Sequence, residues 1–104
     1  LPAEAIAVDA DCDPDQLLET AGKLCDSLDD GTGVLILTDL YGSTPSNIAN
    51  RLIETHNASV ISGANLPMLL RVLNYPDMSL EALCDKAANG ARDGIVVTTR
   101  KQAS

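Results

Sequence analysis

Val34-Leu35-Ile36-Leu37-Thr38-Asp39-Leu40-Tyr41-Gly42-Ser43-Thr44-Pro45 decides the fold. It opens with four consecutive aliphatic residues. No polar residue alternates with them, so both faces of this strand need cover, as in the middle of a parallel sheet. A carboxylate and a glycine follow, then hydroxyl residues and a proline. Thr44 or Ser43 can cap a helix, and Pro45 suits its first turn. The stretch therefore reads as strand, tight turn and helix.

Downstream, Ile48, Ala49, Leu52 and Ile53 mark the buried face of that helix, which runs to about His56-Asn57. Ala58–Ser62 reads as a second interior strand, stopped by Gly63. Asn65-Leu66-Pro67 opens a short helix, and Ser79 starts another that Gly90 closes. Residues 94–99 are the last strand candidate. Upstream, Asp13 can cap and Pro14 begin a helix over residues 14–28, with Leu17, Leu18, Ala21, Leu24, Cys25 and Leu28 at helical spacing. Asp29-Asp30-Gly31-Thr32-Gly33 breaks it, and residues 4–8 form a first short strand. Strands alternating with helices predict a single α/β domain over residues 1–104, with an open, mostly parallel, doubly wound sheet. That sheet is thin for strands so apolar, which predicts further neighbours for them.

Composition narrows the function. The 104 residues carry a net charge of −8, whereas nucleic-acid binding needs a basic face. There is no Phe or Trp, so stacking on bases or sugars is disfavoured. Cys12, Cys25 and Cys84 form no C-x-x-C pair, which leaves metal and redox sites unsupported. No apolar run nears the ~20 residues of a membrane span, and no signal peptide is visible. Asp9-x-Asp11-x-Asp13-x-Asp15 imitates a calcium loop, but Pro14 and Thr20 stand where that loop needs Gly and Glu.

In open α/β sheets, ligands bind beyond the carboxyl ends of the strands. Residues 9–13, 39–45 and 63–67 fall on that edge, and the middle group is the richest. Unpaired N–H groups at a helix start favour an anion, and Gly42 lets backbone approach it closely. Asp39 would repel a phosphate directly. It suits the orientation of a cation or a histidine that carries the anion. The plainer alternative is an Asp that only satisfies backbone N–H groups in a turn.

GVLILTDLYGSTPSNIANRL, followed by SGANLPMLLRVL, resembles the mannose-type enzyme IIA domains of the bacterial phosphoenolpyruvate-dependent sugar phosphotransferase system. In that family a strand leads into Asp-x-x-Gly-Gly-Ser-Pro and a helix, with Gly-x-Asn-Leu-Pro-Met-Leu about twenty residues on. Ser43 stands at the second glycine and Thr44 at the serine. The resemblance implies a flavodoxin-like IIA fold and a phosphoryl carrier. A histidine takes the phosphoryl group from HPr and passes it to a IIB domain. Asp39 would orient that histidine. The amides of Tyr41, Gly42, Ser43 and Thr44 would hold the phosphoryl oxygens, with Asn65 on the rim. No metal or other cofactor is implied. The implied protein is cytoplasmic, meets the membrane only through the transporter complex, and is a homodimer that exchanges a C-terminal edge strand, here residues 94–99. A regulatory or interaction module on the same fold is the alternative.

The family's acceptor histidine follows its first strand. That strand, the histidine and the first helix have no counterpart in this sequence, so the resemblance implies a domain without its N-terminal quarter and an inactive chain. His56 is the only histidine. At 1.5 Å per residue it falls roughly 18 Å from the turn, so it reads as a surface residue near a helix end.

Overall fold

The computed structural model of the chain describes residues 3, 5–6, 13–39 and 44–100. Their elements run α1 (Pro14–Leu28), β1 (Val34–Thr38), α2 (Thr44–Leu52), β2 (Ala58–Ser62), α3 (Leu66–Leu73) and α4 (Leu80–Asp93). Asp13 caps α1, its carboxylate accepting from the Asp15 amide at 3.0 Å. After α1, Asp29 Oδ1 accepts from the amides of Gly31 at 2.8 Å and Gly33 at 3.0 Å. Those bonds turn the chain into β1. Gly33 sits at φ 95°, a region that side chains disfavour. A Cβ there would lie 2.8 Å from Leu80 Cδ2 and 2.9 Å from the Asn57 carbonyl oxygen.

β1 and β2 pair in parallel, from Val34 opposite Ala58 to Thr38 opposite Ser62. The period of two divides β1 between two cores. Val34 and Ile36 pack against Ala21, Cys25, Ile48 and Leu52 of α1 and α2. Leu35 and Leu37 pack against Met68, Val72, Leu83 and Ala87 of α3 and α4. Helices therefore cover both faces of an open parallel sheet, as the apolar run predicts. Apart from the buried Thr38, both strands are only half-buried, because this sheet has two strands among the described residues.

Three expectations change. Of residues 4–8, Ala5 and Ile6 are described and lie outside any strand, and the rest of that run is outside the described residues. Gly90 does not end α4, which continues to Asp93. Its lack of a side chain serves packing, since a Cβ would lie 2.7 Å from Arg71 Cβ on α3. Residues 94–99 form no strand; Ile95, Val96 and Val97 are 71%, 77% and 71% exposed. β propensity needs a neighbouring backbone to pair with, and this segment meets none within the described chain.

Two measurements test this packing. Gly33→Ala should lower unfolding stability by about 1–3 kcal/mol in urea, through strain and collision together. The Cys25 thiol is pushed above its ordinary range by burial, then by Asp26 and Asp29. It should resist alkylation at pH 8 until the protein unfolds. As pH rises through about 8.5, the unfolded thiol ionises first, so the Cys25 contribution to stability should be complete below that pH and decline above it. Alkylation at the rate of a free thiol would contradict the burial.

Candidate functional site at the strand ends

β1 and β2 end side by side, and hydrogen bonds tie their exits together. The Gly63 amide donates to the Asp39 carbonyl, and the Ala64 amide to the Thr38 carbonyl, each at 2.9 Å. Gly63 takes φ 85° to make that turn. Asp39 is exposed just beyond β1. Thr44 is also exposed and is the first residue of α2. Tyr41, Gly42 and Ser43 lie outside the described residues. The carboxyl edge of the sheet thus carries an accessible carboxylate and the start of a nine-residue helix.

Asn65 stands on the same edge with both ends of its amide engaged. Its Oδ1 accepts from the Met68 amide at 3.0 Å, capping α3. Its Nδ2 donates to the Ala91 carbonyl at 3.2 Å, fastening α3 to α4. Capping is the role its position before Leu66-Pro67 predicts; the tie to α4 carries no signal in the sequence.

A buried hydroxyl chain also escaped the sequence reading. Thr38 Oγ1 donates to Ser62 Oγ at 3.1 Å, and Ser46 Oγ lies 3.4 Å from Ser62 Oγ. Ser46 is 0% exposed and Thr38 is 8% exposed. The visible signal is that both apolar strands finish on a hydroxyl residue.

His56 is at the other end of α2, beside the amino ends of the strands, where the Val34 amide donates to the Asn57 carbonyl at 2.9 Å. It is less exposed than a surface histidine: its side chain is 20% accessible. Its Nε2 is 3.2 Å from Asp26 Oδ1 of α1, and its Nδ1 is 2.8 Å from Thr55 Oγ1. The reason is Gly22 of α1, which leaves room for the ring. Among the described residues no cluster of His, Cys, Asp and Glu could hold a metal ion, and no helix is long and apolar enough to cross a membrane.

A family model for the fructose IIA component of the phosphotransferase system matches residues 2–88. The chain belongs to this mannose/fructose-type enzyme IIA family. It is 34% identical over 82 residues to the mannose-specific EIIAB component of Escherichia coli K12, an alignment covering 76% of this chain and 25% of that protein. It is 39% identical over 54 residues to a putative phosphotransferase enzyme IIA component, YadI, of the same organism, covering 48% of this chain and 37% of that one. The crystal structure of a phosphotransferase system EIIA from Streptococcus agalactiae superposes with a TM-score of 0.70 at 30% identity, over 85% of this chain and 69% of that one. The chain thus spans about a quarter of the length of the mannose-specific relative.

Asn65→Ala should cost about 1–2 kcal/mol, through the lost cap and the orphaned Ala91 carbonyl. Asn65→Asp keeps the cap acceptor and should cost less. Equal losses in chemical denaturation would show that the tie to α4, and not the cap, stabilises α3.

Proposed function

We propose that this chain supplies the phosphate cradle of a phosphoryl carrier in the sugar phosphotransferase system. The observation that carries the proposal is the strand edge itself. Asp39 is exposed at the end of β1, and α2 begins on the same edge at the exposed Thr44, where a helix start favours an anion. In this reading a histidine of the full protein accepts a phosphoryl group from phosphorylated HPr. The P–N bond on HPr breaks, its imidazole keeps the electron pair, and a new P–N bond forms on the acceptor. A IIB domain then takes the group in the same way.

Asp39 is the positioning residue. It accepts a hydrogen bond from the second ring nitrogen of the histidine and supports the imidazolium character that develops during transfer. The amides of Tyr41, Gly42, Ser43 and Thr44, with the Thr44 hydroxyl, meet the phosphoryl oxygens, and Asn65 shapes the rim. Backbone dipoles neutralise the charge, so the transfer runs without a metal. Residues 1–104 belong to a single domain, of which they are the larger part, and it works in the cytoplasm. It pairs with a second copy through residues 94–99, whose exposed Ile95, Val96 and Val97 want a partner backbone. Leu66, Leu69, Leu70 and Leu73 leave an exposed apolar stripe on α3, and Gly94 packs on Pro67 beside it.

The test is phosphorylation of the full natural protein by phosphoenolpyruvate, enzyme I and HPr. It should form one acid-labile phosphohistidine, and Asp39→Asn should slow the transfer by about 10²-fold or more. A protein that takes no label would overturn the reading. The 104-residue chain alone should stay unlabelled. Label on His56 would place the chemistry at the wrong end of α2.

A further inference from the structure

We propose that the buried hydroxyl chain Thr38–Ser62–Ser46 positions the first turn of α2, making these three side chains positioning residues for phosphoryl transfer. The inference rests on the reading of residues 39–45 as a phosphate cradle, and adds to it the residues that hold the cradle in place.

The three hydroxyls come from three elements that meet at one point. Thr38 is the last residue of β1 and Ser62 the last of β2, directly opposite in register. Ser46 is the third residue of α2. Thr38 Oγ1 donates to Ser62 Oγ at 3.1 Å, and Ser62 Oγ lies 3.4 Å from Ser46 Oγ, where either oxygen can donate. Ser46 is fully buried and Thr38 nearly so. Alanine and valine would fill such positions without any polar demand. A buried hydroxyl that loses its partner incurs a desolvation cost that nothing offsets, so each gains from its neighbours.

What the chain adds over apolar packing is direction. Ile48 and Leu52 hold α2 against α1 through contacts that tolerate sliding along the helix axis. A hydrogen bond tolerates little change in length or angle. Linking Ser46 to Ser62 fixes how far the α2 N-terminus stands above the strand ends. The same ends are already locked by the bonds from Gly63 to Asp39 and from Ala64 to Thr38. The start of α2 at Thr44 and the Asp39 backbone are thus referenced to one platform. A misplacement of about 1 Å in such a site costs about 10²-fold in rate.

The test uses the full natural protein with phosphoenolpyruvate, enzyme I and HPr, and reads kcat and KM for phosphorylated HPr together with Tm. The triple variant Thr38→Val/Ser46→Ala/Ser62→Ala removes all three hydroxyls at once, so none of the three is left facing a lost partner within the chain. Its kcat should fall by about tenfold or more, with KM within about twofold. Ser62→Thr keeps the central hydroxyl and should hold kcat near the wild-type value. Should the triple variant fail to fold, Ser46→Ala decides, because it removes the link from α2 to Ser62 and keeps the bond between Thr38 and Ser62; its kcat should fall by about three- to tenfold. An unchanged kcat in the folded variant, or an equal loss in Ser62→Thr, overturns the positioning role. Wild-type protein that accepts no phosphoryl group overturns the functional reading itself and this inference with it. That outcome is scored on wild type before any variant, so the two failures are distinguishable.

Discussion

The parallel pairing of β1 with β2 is the constraint on which the rest depends. Its register sets Thr38 opposite Ser62 and brings both strand exits to one level. The period of two then sends Val34 and Ile36 to one helical layer, and Leu35 and Leu37 to the other. A slip of one residue would exchange those faces. It would also move the hydroxyls apart and break the bonds from Gly63 and Ala64 to the β1 exit. Core and site are therefore specified by one set of backbone bonds, and neither can shift alone.

Much of this was legible because the local signals agree. Asp13-Pro14 starts α1, and its apolar spacing carries it to Leu28. Asn65-Leu66-Pro67 and Ser79 start α3 and α4 where capping chemistry puts them. Gly90 misled because glycine after a helix and glycine under a neighbouring helix are the same letter. Only the approach of Arg71 distinguishes them. Residues 94–99 form no strand within the single chain, because strand propensity describes a surface that fits a sheet and says nothing of whether a partner strand is present. The side-by-side strand ends were legible, since parallel strands bring their carboxyl ends to one edge. The hydroxyl chain was not, because Ser46 meets Ser62 only through the crossover of α2.

The charge pattern sharpens what the cradle must do. The chain is strongly acidic, and several of its cations already face carboxylates. Lys23 is 3.3 Å from Glu19, Arg51 is 3.8 Å from Asp15, and Arg71 is 3.4 Å from Asp93. These exposed pairs add little stability individually. They do show that cationic side chains are spent along the flanks. Segments 38–46 and 62–66 contain no Lys or Arg. Arg92 of α4 lines a pocket with Ser62, Gly63 and Asn65 beside that edge, and oriented backbone N–H groups at a helix start add an attraction that falls off within a turn.

The two ends of α2 consequently obey different rules. Its C-terminal end carries Arg51, which meets Asp15 of α1, as the helix dipole favours. Charge pairs of that kind tolerate small changes in distance, because Coulomb energy varies slowly with separation. Its N-terminal end is held instead by neutral hydroxyls at hydrogen-bond range, where tolerance is small. A carboxylate anchor at that end would fix the helix equally well but would add negative charge at the start of α2, against the preference of an anion-binding helix end. Neutral, directional anchoring therefore satisfies two requirements that a salt bridge could not meet together: a fixed helix start, and no further negative charge beside Asp39.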